Sequence, residues 1–255
     1  MDSNVSLTPS LFLEANSQAY EWLVERVLRL ADVLDEEALL RQIEHIARFA
    51  VSFHSGRFAD GAIENLALNV GSRLTETSAR SPFADRYPSA KGKARRILHV
   101  SNRVEGVGGH TRLMAHWIRG DQNTCHSILL LDQENIAIPD WLADAVHQSG
   151  GTFFELPSDA TLGQKAKWMR QIAQNAADLV VLHHFGWDVV PTVALASPNL
   201  PPVAVLNHAD HIFWLGSSVT DIVINLRSVS IDHTMQRRLI ARNTVLPVPL
   251  VDTTA

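Results

Sequence analysis

"RRILHVSNRVEGVGGHTRLMAHWI", residues 95–118, decides the fold. An apolar run reads as a strand, a glycine loop follows, and the remainder reads as a helix. The glycines therefore occupy a strand-to-helix turn, where phosphates are often held. Gly106, Gly108 and Gly109 lead into a helix whose first free N–H groups come from about Gly109, His110 and Thr111. A helix start without side-chain bulk can bring those N–H groups and the positive end of the helix dipole against an anion. The spacing G-x-G-G-H-T is not the dinucleotide fingerprint, and no P-loop lysine follows, so neither a dehydrogenase nor a P-loop NTPase is supported. A glycine turn can equally serve only to let helix and strand pack closely.

Downstream the same texture repeats. The runs "HSILLLD", "TFFEL", "DLVVLHH", "PVAVLN", "DIVIN" and "TVLPVPL" alternate with helical stretches beginning near Thr111, Pro139, Thr161, Val189, Ser217 and Ser228. Strands that are apolar throughout and separated by helices indicate a parallel sheet covered on both faces. The expected fold is α/β, a Rossmann-like doubly wound parallel sheet of about seven strands over residues 95–250, preceded by an α-helical leader.

That leader, residues 1–75, has helical periodicity and almost no strand signal. Thr8 followed by Pro9 predicts a helix start, a capping hydroxyl and then a ring preset to helical φ. Ala15, Ala19, Trp22, Leu23, Val27 and Leu30 form its expected apolar face. Asp35 is placed to cap a second helix with Leu39, Leu40, Ile43, Ile46, Ala47 and Ala50 inward. That helix ends near Gly56, which can take positive φ. A third carries Ile63, Leu66, Ala67, Val70 and Leu74. Such faces bury against one another and against the following domain. Residues 76–94, with Pro82, Pro88 and Gly92, read as a linker, and 251–255 as the start of an interdomain linker or a tail.

Composition narrows the function classes. The chain has 255 residues, 46% of them hydrophobic, enough for a sizeable core. A net charge of −5 gives no reason to expect nucleic acid as a partner. The single cysteine, Cys125, cannot form an intrachain disulfide and suits a reducing compartment. The amino terminus lacks a signal-peptide pattern, and no apolar run approaches the ~20 residues that span a bilayer. A cytoplasmic protein is expected, with peripheral membrane contact left open. "QKAKWMRQ" and "QRRLIAR" could be phosphate or membrane-surface patches, with solvated helix faces the usual explanation for Lys165, Lys167, Arg170, Arg237, Arg238 and Arg242.

In doubly wound sheets ligands bind outside the carboxyl ends of the strands. The unusual residues fall there. "VLNHADHIFWLG" closes a strand with Asn207 and His208 and adds Asp210 and His211, which could be metal ligands or an acid–base pair. His208, at the strand end, points into the crevice. Asp210 and His211 are suited to orient neighbours or cap the next helix, and Phe213 and Trp214 to packing. "DLVVLHHFGWD" ends with His183 and His184 on opposite faces. His184, nearer the loop, is the cleft-lining candidate, and His183 a hydrogen-bonded core histidine.

Taken together, "RRILHVSNRVEGVGGHTRLMAHWI" and "VLNHADHIFWLGSSVTDIVINLR" resemble the amino-terminal domain of two-domain GT-B glycosyltransferases. The nearest group is the retaining type that uses sugar nucleotides in making bacterial surface glycans. The helical "FHSGRFADGAIEN" resembles a leader of some bacterial members. The resemblance implies that this domain holds a glycan or lipid-linked acceptor and that a second domain, not in this chain, holds most of the nucleotide sugar. It implies a catalytic, sugar-contacting role for His208. Gly108 and Gly109 match the loop near the donor diphosphate or sugar, with His110 and Thr111 beside it. From their positions at strand ends, Asn207, Asp210, His184 and His211 are expected to line the cleft. Neither a metal nor another cofactor is implied, and the isolated chain is expected to be inactive. Two other functions compete. One is a non-catalytic binding or assembly module, which an exposed apolar patch on the leader would favour. The other is a metal-dependent hydrolase using His184, His208, Asp210 and His211.

Overall fold

The computed structural model describes residues 8–74, 81–88, 93, 95–183 and 185–246. Three helices come first, α1 (Pro9–Leu30), α2 (Glu36–Ser52) and α3 (Gly61–Arg73). Asp35 caps α2 as expected, its Oδ1 accepting from the Ala38 N–H at 2.7 Å. Asp60 caps α3 through the N–H groups of Ala62 and Ile63. At α1 only half the expectation holds. Pro9 opens the helix, but the Thr8 hydroxyl makes no cap and lies 2.9 Å from that of Ser10.

The six apolar residues expected on the inner face of α2 are all buried. Only part of the stripe expected on α1 turned inward: Val27 is buried and Leu23 packs against the core, whereas Ala15 and Ala19 are exposed. Tyr20, Val24 and Val27 are buried, whereas Trp22 is 55% exposed, with the Arg26 guanidinium 5.6 Å from its ring centroid. Periodicity alone cannot choose between adjacent stripes. Here the choice goes to the one carrying Tyr20, whose ring packs on Phe213 at 6.2 Å.

Among the described residues the sheet has seven strands, β1 (Arg95–Ser101), β2 (Thr124–Leu130), β3 (Phe153–Glu155), β4 (Leu179–Leu182), β5 (Val203–Asn207), β6 (Ile222–Asn225) and β7 (Asn243–Val245). Their order is β3-β2-β1-β4-β5-β6-β7, every pair parallel. This is the doubly wound, Rossmann-like arrangement, and the winding reverses between β1 and β4. Helices α4 (Gly109–Gly120) and α5 (Asp140–Ser149) pack on one face, around Ile128 and Leu130 of β2. Helices α6 (Leu162–Ala176) and α7 (Val190–Ala194) cover the other, over Leu98, Val180, Leu182 and Val205. Helix α8 (Ser230–Arg238) precedes β7. The helix expected near Ser217 is a single 3₁₀ turn, Ser217–Val219, and the last four residues of "TVLPVPL" lie outside the described residues.

The leader helices share one hydrophobic core with α6, α7 and the sheet. Phe83, from the stretch read as a linker, belongs to it too, edge-on to Phe154 and Trp168. Polar clamps fix the joint. Glu64 of α3 is 2% exposed, and its carboxylate accepts from the N–H groups of Gly216, Ser217 and Ser218 at 3.2, 3.1 and 2.6 Å. A Cβ on Gly71 would stand 2.4 Å from the Val193 carbonyl oxygen, so only glycine lets α3 approach α7 this closely.

Two basic segments expected on solvated faces are instead partly interior. Arg170 is 6% exposed and donates to the carbonyls of Ala194, Gly71 and Val193 at 2.7, 2.8 and 2.9 Å. Arg238, 3% exposed, donates to the Ile212 carbonyl and lies 4.5 Å from the Trp214 ring centroid. Carbonyls at the ends of helices and loops need donors when buried, and a guanidinium supplies several at once. Among the described residues no helix is long and apolar enough to cross a membrane.

Candidate functional site

Residues following β1, β4 and β5 gather at the carboxyl rim of the sheet beside the winding reversal. After β1 the chain runs through Asn102 and Arg103 into the glycine loop, and α4 begins at Gly109, two residues before its expected start. Gly108 is extended, with no side-chain cap on the helix, which leaves the first N–H groups of α4 without intrahelical partners. A Cβ on Gly106 or Gly109 would meet nothing within 4 Å, so the loop faces open space rather than a tightly packed neighbour. The Thr111 hydroxyl folds back and accepts from the Glu105 N–H at 3.3 Å, bracing the loop.

The two motifs that are distant in sequence meet here. The rings of His110 and His208 lie 6.1 Å apart, tilted by only 25°. His208 Nδ1 is 3.2 Å from the Leu206 carbonyl oxygen and must carry its proton toward it, which leaves Nε2 as the acceptor. Although His208 is exposed at the rim, its ring sits among protein atoms. That loss of water, with His110 nearby, lowers its pKa and keeps the imidazole neutral near pH 7. His110 Nε2 lies 3.3 Å from the Arg103 carbonyl and donates to it.

Asn207 is 5% exposed and belongs to a ladder along the ends of β5, β6 and β7. Its Nδ2 donates to Asn225 Oδ1, and Asn225 Nδ2 donates to Asn243 Oδ1, both at 2.9 Å. Asp210 faces α8, accepting from the Ser230 hydroxyl at 2.6 Å and from Arg227 at 3.0 Å, and these partners hold its carboxyl below the usual range. The side chain of His211 is 78% exposed beside it. His184 lies outside the described residues. Among the described residues no three His, Cys, Asp or Glu side chains are arranged to hold a metal ion.

Two chambers open at this rim on either side of an aromatic wall, Phe185 and Trp187, whose ring centroids are 4.9 Å apart. The smaller, of about 70 Å³, is mainly apolar and is lined by Asn207, His208, Ile212 and Trp214. The larger, of about 370 Å³, is polar. Gly186 lets the wall form, since a Cβ there would stand 2.4 Å from the Phe213 carbonyl oxygen.

Sequence reasoning missed the larger chamber. Asp188, 4% exposed, is held by Asn102 Nδ2 and by the Val190 N–H at 2.8 Å. Asn102 Oδ1 in turn accepts from the Phe185 N–H at 2.5 Å. Glu44 reaches in from α2. Burial, and then the charge of Asp188, pushes Glu44 up to about 7; burial pushes Asp188 up to about 6. Nothing local in the sequence marks Glu44, which sits beside Ile43 on an ordinary amphipathic helix.

A second polar feature lies beneath α4. His126 of β2, His99 of β1 and His183 after β4 form a row with ring nitrogens 3.0 Å apart at each junction. The core role expected of His183 is therefore met, and the readable signal for the others was a histidine inside a strand buried on both faces.

The sequence matches no family model and no curated protein. Among solved structures, a mutant O-GlcNAc transferase of Thermobaculum terrenum superposes with a TM-score of 0.45 at 14% identity, covering 94% of this chain and 44% of that one. The lipopolysaccharide outer core galactosyltransferase WaaB, in its apo form, gives 0.43 at 13% identity, covering 62% and 47%. This chain thus spans less than half the length of either protein.

Proposed function

We propose that this chain is the acceptor-side half of a glycosyltransferase that moves a sugar from a nucleotide sugar to a glycan or lipid-linked acceptor in bacterial surface polysaccharide synthesis. The observation that carries the proposal is the meeting of His110 and His208, which joins in space the two motifs whose resemblance is to GT-B transferases. Breaking the bond between sugar and diphosphate puts positive charge on the ring and negative charge on the leaving phosphate. Neutral His208, with Nε2 as its acceptor nitrogen, accepts from a hydroxyl of the transferred sugar. The open start of α4 at Gly108 and Gly109 offers fixed N–H dipoles to the phosphate, most useful in the transition state. The donor itself is held by a partner domain.

The test is transfer from a panel of UDP-, GDP- and CMP-sugars by a protein in which this chain is joined to its donor-binding domain. His208→Ala should lower turnover roughly 100-fold or more with an unchanged thermal midpoint. Normal turnover by that variant overturns the role of His208.

One observation favours a second reading, an assembly module. Leu11, Phe12 and Leu13 at the start of α1 are 43%, 52% and 43% exposed. If that patch holds a separate donor-domain protein, replacing Phe12 with Ser should dissociate the pair in sedimentation experiments. A complex unaffected by the change removes this reading.

A further inference from the structure

The larger chamber plays no part in the role given to His208. Its charged lining converges from separate parts of the chain, Glu44 and Arg48 on α2, Arg103 after β1, Asp132 after β2, Lys165 on α6 and Asp188 after β4. Lys165 and Asp188 are only 7% and 4% exposed. Charges withdrawn from water cost several kcal/mol unless paired, and apolar side chains of similar volume generally serve a fold at least as well. Lys165 is paired with Asp132, and Asp188 with Asn102 and the Val190 N–H, but these pairs do not close on one another as a packed cluster would, and the six charged side chains encircle about 370 Å³ of open volume.

Their balance identifies what fits. Lys165 lies 3.4 Å from Asp132, and Arg103 lies 2.7 Å from Glu105. The lining itself carries Arg48, Arg103 and Lys165 against Glu44, Asp132 and Asp188, three charges of each sign, with Glu105 standing outside it. An anion would meet no surplus of positive charge, and a cation no surplus of negative charge. Donors and acceptors nevertheless abound. Arg48 and Arg103 stand 4.6 and 5.7 Å from the ring centroids of Trp187 and Phe185, covering these faces against a stacked ligand. Recognition must come from hydrogen bonds around a ligand's edge.

We propose that this chamber binds a neutral, polyhydroxylated ligand of monosaccharide size, with Glu44 and Asp188 accepting from its hydroxyls and Arg48 and Lys165 donating to them. The volume is within the range of small-molecule sites, roughly 300–1,000 Å³. Under the proposed transfer function the ligand is the terminal sugar of the acceptor. Only that identification rests on the transfer function.

The purified chain is titrated with the methyl glycosides of glucose, galactose and N-acetylglucosamine, with glucose 6-phosphate and glucosamine as charged counterparts, and read by saturation-transfer NMR and calorimetry. At least one neutral glycoside should bind, each charged analogue at least tenfold more weakly than its neutral parent. Glu44→Ala and Arg48→Ala should each lower affinity at least tenfold. Arg48 lies on the exposed side of α2, so its replacement leaves the fold intact even if Glu44→Ala does not. Absence of binding by every neutral glycoside, tighter binding of a charged analogue, or full affinity in Arg48→Ala overturns the proposal. Binding without transfer in the joined protein removes the transfer function and leaves this site standing; transfer without binding does the reverse.

Discussion

The two faces of the sheet each bury a row of titratable side chains, and the rows are finished differently. Beneath α4, His126, His99 and His183 meet nitrogen to nitrogen, and the Trp117 ring closes edge-on over His99. Each neutral imidazole has one donor and one acceptor, so three in line can satisfy one another. Asp121, 3.5 Å from His126 Nε2, sets the direction of the protons along the row. On the α6 face, Glu44, Asp188 and Lys165 surround open volume instead. Buried polar groups that close on each other serve the fold, whereas groups left around a chamber are available to a ligand.

The largest expected effect breaks the closed row. His99→Ala leaves a ring-sized cavity and strips a partner from both His126 and His183, which should cost roughly 3–5 kcal/mol in urea unfolding. A loss below about 1 kcal/mol would mean that the row does not support the fold.

Titration comes next, because the two faces respond with opposite sign. Burial holds His99 and His126 below the ordinary imidazole range, so the unfolded chain takes up protons that the folded one refuses. Stability from that face is complete above about pH 6.5 and is lost as pH falls through the folded values. Glu44 and Asp188, raised to about 7 and about 6, hold protons that the unfolded chain releases. Their contribution is complete below about pH 4 and is lost as pH rises toward 7. Glu44→Gln lacks that loss and should gain on the native sequence by roughly 1–3 kcal/mol between about pH 5 and about pH 8. An offset between the two proteins that stays constant with pH contradicts this account of Glu44.

The smallest effect sharpens the comparison at the outer end of the histidine row. The side chain of Asp121 is 36% exposed, so its attraction to His126 is screened by water. Asp121→Asn should cost less than about 1 kcal/mol. A loss as large as that of His99→Ala would relocate the strength of the row from its interior to its edge.

Much of this architecture was legible in residues 95–118, where strand, glycine turn and helix follow in order, and in the apolar runs that repeat the pattern. The inner face of α2 was equally plain, because one unambiguous stripe of large aliphatic residues leaves no rival. On α1 adjacent stripes overlapped, and the expected one held at Leu23 and Val27 but not at Trp22. At the rim the sequence marked His110 and His208 separately as residues at strand and helix ends, but not that their rings meet. The chamber was illegible because its lining residues each look ordinary where they stand.

By itself, then, the sequence determined the elements, their alternation and the parallel doubly wound sheet. These follow from spacing, turn residues and strand composition, which act between near neighbours in the chain. Only the tertiary structure decided that Arg170 and Lys165 are interior, that Glu64 clamps the turn at Gly216, and that Glu44 faces Asp188 across a chamber. Whether a charge is buried depends on the partners that the fold aims at it, and those come from elements far apart in the chain.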